Sequence, residues 1–156
     1  MPDQPPQRGA KHDALDIFLG AWSASGTSFG GTDPSGDPRA NGEPWSSTHR
    51  AFWHTGNFFL IQDERAFIAG APFDTLAVIG VDPASGEYFF RAFENHGFYR
   101  NYRMSVDGLV WRLDGATERA TIEFSDDHRR QVIHWEWQPD GQWLPLCDRV
   151  ATRIDE

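Results

Sequence analysis

The sequence predicts an all-β protein, a closed antiparallel up-and-down barrel of about ten strands with a short N-terminal helix. Short runs of alternating apolar and polar residues follow one another along most of the 156 residues, which is the pattern of half-buried strands. Hairpin-length turns rich in Gly, Asp, Asn and Pro separate these runs. Aromatic residues, which favour strands, form 14% of the chain. Closing such a meander removes its exposed edges, although a two-sheet sandwich has the same strand count and stays an alternative.

The N-terminal part is predicted to contain a disordered leader, one helix and the first strand. Residues 1–12 are rich in Pro and polar side chains, and a single barrel domain is expected to occupy residues 13–156. Leu and Phe residues at helical spacing predict a helix over Asp13–Leu19. A strand over Ala21–Thr27 leads into a long Gly- and Pro-rich loop, Ser28–Gly42. We expect this loop to be disordered or to form a flap over an opening.

Nine further strands are predicted from the alternation and from the turns that bound it. Asp107-Gly108 is the strongest hairpin signal, because both residues accept the positive φ angles of a type I′ turn. Asp82–Gly86 is a second strong turn, and Ala69–Phe73 interrupts the alternation. The nine strands are expected at Glu43–His54, Phe58–Ile68, Asp74–Val81, Glu87–Phe93, Phe98–Val106, Leu109–Leu113, Arg119–Phe124, Arg129–Trp137 and Gln142–Ile154.

Composition excludes several classes of function. The formal net charge of −9 argues against a nucleic-acid partner, since a phosphate backbone requires clustered Lys and Arg. The single cysteine, Cys147, cannot form an intrachain disulfide or a thiolate zinc site. No apolar run approaches the roughly 18 residues of a membrane helix, and the N-terminus lacks a secretory pattern. We therefore expect a cytoplasmic protein with no membrane partner, while a homodimer is left open.

A helix that runs into Gly-x-Trp opens the predicted barrel, at Phe18-Leu19-Gly20-Ala21-Trp22. This segment resembles the start of calycin-superfamily barrels, which include lipocalins, fatty-acid-binding proteins and nitrobindins. The resemblance implies that Trp22 closes the base of the barrel and that an arginine from the last strand packs across its ring. Arg149 and Arg153 lie on the expected last strand and are the candidates for this cation–π partner.

A second resemblance concerns the turns in the middle of the chain. The run Ala77–Pro83, the turn Ser85–Tyr88 and Asn95-His96-Gly97 resemble a bacterial family grouped as DUF1579, with Val81 in place of that family's usual Tyr. The segment Asp140–Trp143 is also similar, as is Arg153. Turn motifs specify a fold rather than a chemistry, so this resemblance supports the architecture and leaves the function open.

The histidines do not have the spacing of a metal or cofactor site. His49 and His54 share a strand but lie on opposite faces, so they cannot both bind one metal inside a barrel. Nitrobindins hold haem through a histidine on a late strand, whereas the last strand here has none and His134 lies one strand earlier. The alternate residues around His134 are the more apolar set, which favours an outward His134. No metal and no cofactor are therefore expected.

The aromatic residues favour small-molecule binding, because a ten-stranded barrel is too wide for its wall side chains to fill completely. Arg91 would anchor a carboxylate or another anion if its face points inward. We therefore predict a protein that binds a small, largely apolar or amphipathic ligand in the barrel. The predicted ligand-binding residues are Arg91, Trp53, Phe89, Phe93, His96, Tyr99, Tyr102 and His134.

Two other classes of function stay open. One is an enzyme of isomerase, cyclase or hydrolase type that uses the same cavity, with His96 or His134 as the proton carrier. No nucleophile motif is present, and the lone Cys147 is typical of a small buried hydrophobic residue. The other class is a scaffold that binds a partner through the loop Ser28–Gly42.

Overall fold

The computed structural model describes residues 4–30 and 36–154. The described part begins with a helix, α1, which continues into one turn of 3-10 helix, and eleven strands follow. Their bounds are α1 Ala10–Ala14, 3-10 turn Leu15–Phe18, β1 Gly20–Ser28, β2 Glu43–Trp53, β3 Phe59–Ile68, β4 Ala71–Pro72, β5 Thr75–Val81, β6 Tyr88–Glu94, β7 Tyr99–Asp107, β8 Val110–Asp114, β9 Glu118–Phe124, β10 Arg130–Trp137 and β11 Leu144–Ile154.

Ten of these strands form a closed antiparallel ring. Each strand pairs with the next in the chain, except that the two-residue β4 lies beside β3 alone and β3 pairs directly with β5. The ring closes because β1 pairs with both β2 and β11. The predicted up-and-down barrel of about ten strands with a short N-terminal helix is therefore confirmed, and the sandwich alternative is excluded.

The helix differs from its predicted bounds. It begins at Ala10, three residues before the predicted start, because the Gly9 carbonyl accepts hydrogen bonds from the His12 and Asp13 N–H groups. The residues from Leu15 to Phe18 wind more tightly as a 3-10 turn. Ala10–His12, assigned from sequence to the leader, is thus helical. The division into leader and barrel stays a prediction, and residues 31–35 of the predicted flap lie outside the described residues. No described helix has the length and apolarity needed to cross a bilayer.

The helical segment closes one end of the barrel. Phe18 packs edge-on against Trp111 and Phe124 at centroid distances of 5.0 and 5.2 Å. The indole Nε1 of Trp22 donates to the Phe18 carbonyl at 3.1 Å. The Tyr88 hydroxyl donates to the Lys11 carbonyl at 2.7 Å, which ties α1 to the barrel wall. Burying this aromatic cluster fills the space that ten strands leave at that end.

Arg153 of β11 lies across the ring of Trp22 at 4.7 Å from its centroid. Its Nη2 donates to the carbonyls of Ile17 and His128 at 3.4 and 3.3 Å. Arg153 therefore occupies the position that the calycin resemblance assigned to Arg149 or Arg153. The contact joins the last strand to the helical segment and completes the closed end.

Candidate ligand-binding cavity

A cavity of about 350 Å³ occupies the barrel between the closed end and the opposite, open end. Its volume lies within the roughly 300–1,000 Å³ range of small-molecule sites. The strand ends at the opening are those of β1, β3 and β6, together with the turn that carries His96. Its apolar wall includes Trp45, Ile68, Phe73, Phe90, Leu113 and Trp135.

Four polar side chains face the interior from the strand pairs on either side of β1, and we call them the inner polar group: His49 on β2, Glu64 on β3, Gln131 on β10 and Arg149 on β11. Strand alternation points them inward, because each shares a face with buried neighbours. His49 and Glu64 are direct cross-strand neighbours. His49, Glu64 and Gln131 are each more than nine-tenths buried.

Gly26 positions Arg149 within this group. The two residues are paired across the β1–β11 seam. A Cβ atom at position 26 would lie 1.9 Å from the Asp148 carbonyl oxygen and 2.8 Å from the Arg149 Cα. Only glycine permits this approach, so the absence of a side chain brings the Arg149 backbone against β1. The guanidinium then stacks on Trp45, 4.2 Å from the ring centroid.

The inner polar group uses only part of its hydrogen-bonding capacity. Arg149 Nη1 donates to Glu64 Oε2 at 3.4 Å, whereas His49 Nδ1 lies 3.9 Å from the same oxygen, too far for a hydrogen bond. Four buried nitrogens have no hydrogen-bond partner among the described residues: both ring nitrogens of His49, Nε2 of Gln131 and Nε of Arg149. Buried polar atoms are almost always paired in proteins, so four in one cavity mark a candidate binding site.

Burial and neighbouring charge shift the pKa values of this group. Burial, reinforced by the positive charge of Arg149, lowers the pKa of His49 to about 3, so its imidazole is neutral. Burial raises the pKa of Glu64, and the attraction to Arg149 opposes this shift only in part. The neutral ring of His49 stacks on Trp22, with centroids 6.1 Å apart and planes inclined by 15°.

The opposite wall carries a second polar set whose members are paired. The Tyr102 hydroxyl donates to Glu118 Oε2 at 2.9 Å, and Arg100 Nε lies 3.3 Å from Glu118 Oε1. Burial and the Glu118 carboxylate raise the pKa of Tyr102, which keeps the phenol protonated. Because these groups form hydrogen bonds and ion pairs with one another, this wall shapes the cavity but offers a ligand few free hydrogen-bonding groups.

A carboxylate and an imidazole meet at the opening. His96 Nδ1 lies 2.6 Å from Glu94 Oε2, and the same carboxylate accepts the backbone N–H groups of His96 and Phe98. Burial tends to raise the pKa of Glu94, but the hydrogen bonds from His96 and Phe98 outweigh it and hold the pKa below its ordinary value. The His96 ring also lies 5.7 Å from Phe73, so these residues form one side of the rim.

The structure brings two of the eight predicted ligand-binding residues to the cavity, Tyr102 and His96. Arg91, Phe89 and Phe93 project from the outer face of β6, because Phe90 and Ala92 of that strand face the interior. Tyr99 stacks on Phe93 outside the barrel. An inward-facing Arg91 was the condition for its role as an anion anchor, and Arg91 faces outward.

Trp53 and His134 also lie outside the cavity. Trp53 Nε1 donates to Asp16 Oδ1 at 2.8 Å, and Arg8 covers its ring, so this residue belongs to the closed end. His134 lies on the outer face of β10, as the alternation favoured, with Nδ1 2.7 Å from Asp148 Oδ1. His134 therefore does not line the cavity.

Sequence reasoning missed the inner polar group as a site. His49 shares a strand face with Trp45 and Ala51, and alternation could have marked that face as buried. From the sequence, Arg149 was expected only as a candidate cation–π partner of Trp22. Cys147 is buried beside Trp45, and burial raises the pKa of its thiol to about 11, which suits the predicted hydrophobic role. No group of three or more His, Cys, Asp or Glu suited to a metal occurs among residues 4–30 and 36–154.

Comparisons with known proteins add to the description of the fold. No family model matches the chain, and no curated protein matches it. The crystal structure of Rv2717c from M. tuberculosis is 17% identical, with a TM-score of 0.69 over 96% of this chain and 100% of that chain. A de novo designed fluorescence-activating β-barrel is 14% identical over 91% of this chain and 98% of its own, with a TM-score of 0.45. At such identity the likeness to Rv2717c is one of fold alone: the chain folds as a closed ten-stranded antiparallel barrel.

Proposed function

We propose that this barrel binds a small, largely apolar organic molecule with an anionic or oxygen-rich head group, and that Arg149 contacts the head group. The observation that carries the proposal is the set of unpartnered nitrogens of Arg149, Gln131 and His49 at the inner end of an aromatic-lined cavity. Leaving such atoms buried without partners costs roughly 1–3 kcal/mol each. Ligand oxygens would remove that cost for the nitrogens that carry a hydrogen, which are Nε of Arg149, Nε2 of Gln131 and one ring nitrogen of His49.

The local charge balance supports an anion at Arg149. His49 is neutral, and the raised pKa of Glu64 allows this carboxyl group to take up a proton when an anion enters. Glu64 is therefore a counterion that an anionic ligand can replace at Arg149, and its one contact with the guanidinium is long, at 3.4 Å. A ligand carboxylate could accept from Arg149 Nε in a charge-assisted hydrogen bond.

The apolar body of the ligand would lie between the head-group site and the opening. Trp45, Phe73, Phe90 and Trp135 present flat surfaces along this path. A planar or alicyclic molecule would displace water from these rings, which is the main source of affinity for apolar ligands. We also propose membership of the calycin superfamily, which the Gly-x-Trp opening and the Arg153 stack on Trp22 support.

Two measurements test this proposal. Native purification followed by mass spectrometry would detect a co-purifying ligand. Titration with anilinonaphthalene sulfonate, an aromatic probe with an anionic group, would give a dissociation constant from its fluorescence. We expect Arg149→Met to weaken binding of this probe by roughly tenfold or more, the loss of one charge-assisted hydrogen bond.

Arg91→Met is the matched control, because Arg91 also stacks on an aromatic ring, 4.9 Å from the centroid of Phe89, but lies on the outer face. Its dissociation constant should equal that of the unmodified protein. Failure of the unmodified protein to bind the probe would contradict the proposed function. Equal weakening by the two substitutions would remove Arg149 from the head-group site.

A further inference from the structure

We propose that Glu64 is a general base that removes a proton from the carbon next to a carbonyl group of the bound ligand, with Arg149 and Gln131 donating hydrogen bonds to the carbonyl oxygen. The substrate class is an enolisable ketone or keto acid with an apolar body. This inference rests on the proposed function, since it requires a ligand in the cavity, and it adds a reaction to the binding.

Glu64 has the surroundings of a catalytic base. Its carboxyl group faces the cavity from β3, 8% of the residue is exposed, and its one hydrogen bond among the described residues is the 3.4 Å contact from Arg149. A carboxylate that is poorly solvated and incompletely hydrogen-bonded is more basic than one in water. The raised pKa of Glu64 agrees with this geometry and brings the base closer to neutral pH.

The donors needed for a developing negative charge lie in the same group. Arg149 Nε and Gln131 Nε2 are buried nitrogens that carry hydrogens and have no acceptor among the described residues. An enolate oxygen attracts such donors more strongly than a ketone oxygen does, because its charge is greater. Donors that are fixed before the reaction stabilise the transition state more than the bound substrate, which is the condition for acceleration.

Other chemistry in this cavity has weaker support. The raised pKa of Cys147 keeps its thiol protonated, which disfavours attack by sulfur. The two histidines considered from sequence as proton carriers are placed differently: His134 is outside the barrel, and His96 lies on the rim against Glu94. His49 is within the group but is a weak base, since its pKa is about 3.

The proposed step requires no co-reactant. The C–H bond next to the carbonyl breaks and its proton passes to the Glu64 carboxylate. The electron pair of that bond forms the C=C bond of the enolate, and the carbonyl π pair moves onto oxygen, where Arg149 and Gln131 donate. Return of the proton to the same carbon gives exchange, return to oxygen gives the enol, and return to a conjugated carbon gives a double-bond isomer.

Hydrogen–deuterium exchange of β-tetralone in deuterium oxide tests the step directly. This bicyclic ketone has an apolar body and acidic protons beside its carbonyl, and proton NMR follows their loss. We expect the unmodified protein to accelerate exchange roughly a hundredfold over protein-free buffer at the same pH. Glu64→Gln should remove that acceleration while retaining binding of anilinonaphthalene sulfonate, because the amide preserves the shape of the cavity.

Asp63→Asn is the matched control, since Asp63 is the adjacent carboxylate on the outer face of β3. This variant should accelerate the hydrogen–deuterium exchange of β-tetralone as much as the unmodified protein does. Exchange that is the same in Glu64→Gln and the unmodified protein would overturn the assignment of Glu64. Probe binding with no exchange above buffer would overturn the reaction and leave the proposed function intact, whereas no probe binding would contradict the proposed function itself.

The pH profile provides a second test that needs no folded Glu64→Gln variant. The exchange rate catalysed by the unmodified protein should increase with pH as one group loses its proton. The apparent pKa of that group should lie above the ordinary 4.5 of glutamate. Arg149→Met should lower the rate roughly tenfold or more, because it removes the donor that the enolate needs most. A protein-dependent rate that does not change with pH in this range would overturn the role of a carboxylate base.

Discussion

Two tryptophan–arginine stacks divide the barrel into a closed half and a half that contains the cavity, which we call the cavity half. Arg153 covers Trp22 at 4.7 Å, and Arg149 covers Trp45 at 4.2 Å. Both arginines come from the inward face of β11, separated by one further inward residue, Ala151, so their covalent settings are alike. Their surroundings differ, and that difference separates a structural contact from a candidate site.

Hydrogen bonding distinguishes the two stacks. Arg153 donates to the carbonyls of Ile17 and His128, so its contact completes the closed end. Arg149 has one weak contact to Glu64, and its buried Nε has no acceptor among the described residues. The same cation–π pair is therefore a structural contact where the guanidinium is satisfied, and a candidate ligand contact where hydrogen-bonding capacity is left over.

The largest expected effect is on stability and comes from the tryptophan of the closed half. Trp22 is fully buried in the main core, and Trp22→Ala should lower the free energy of unfolding by about 3–5 kcal/mol. Trp45→Ala should cost about half as much, because the Trp45 ring already borders the cavity and loses fewer contacts. Urea unfolding of the two variants measures the difference, and equal losses would contradict the division into two halves.

The pH dependence of stability should reflect two titrating groups of the cavity half, His49 and Glu64. The pKa of His49 is about 3 in the folded chain against an ordinary 6.5, so the unfolded chain binds its extra proton first and stability falls as the pH is lowered through that window. Glu64 has the opposite sign. Its raised pKa contributes stability that is present below 4.5 and is lost as the pH rises through the folded value.

The two contributions therefore oppose each other from pH 4.5 up to the folded pKa of Glu64 or to 6.5, whichever is lower, and below 4.5 the contribution of His49 acts without that opposition. His49→Phe keeps an aromatic ring against Trp22 and removes the titrating group. The free energy of unfolding of this variant should fall less steeply as the pH is lowered than that of the unmodified protein, by up to about 1.4 kcal/mol per pH unit. Unfolding curves from pH 6.5 down to 3 measure the two slopes; parallel slopes would show that His49 does not titrate as described.

Ligand affinity should separate the two arginines by roughly tenfold, about 1.4 kcal/mol. Arg149→Met is expected to weaken binding of anilinonaphthalene sulfonate by that factor. Arg153→Met should leave the dissociation constant unchanged, because Arg153 is absent from the cavity wall. Fluorescence titration of the two variants side by side checks this contrast, and a loss of affinity in Arg153→Met would place the ligand nearer the closed end than we propose.

The smallest expected effects are on stability and come from replacing the two arginines. Arg153→Met should lower the free energy of unfolding by about 1 kcal/mol, through loss of the stack on Trp22 and of two hydrogen bonds to carbonyls. Arg149→Met should change stability less, provided that Glu64 takes up a proton when its cationic neighbour is removed. Thermal denaturation near neutral pH measures both values; a larger loss for Arg149→Met would mean that Glu64 stays charged in the cavity.

Most of the fold could be predicted, because the signals for strands and turns are local. The predicted bounds of the barrel strands lie close to those observed, as turn residues such as Asp107-Gly108 mark the ends of strands. The candidate site could not be predicted in the same way. β6 carries aromatic residues on both faces, so Phe89 and Phe93 looked as suitable for the interior as Phe90 does.

The sequence by itself determined the β class, the order of the hairpins and the helix-to-Trp22 opening, since each depends on neighbouring residues and their alternation. Only the tertiary structure decided that Arg149, and not Arg91, faces the cavity. Glu64 and Arg149 lie 85 positions apart and meet because the ring closes through β1. Which face of a strand points inward depends on that closure, and the local sequence pattern does not determine it.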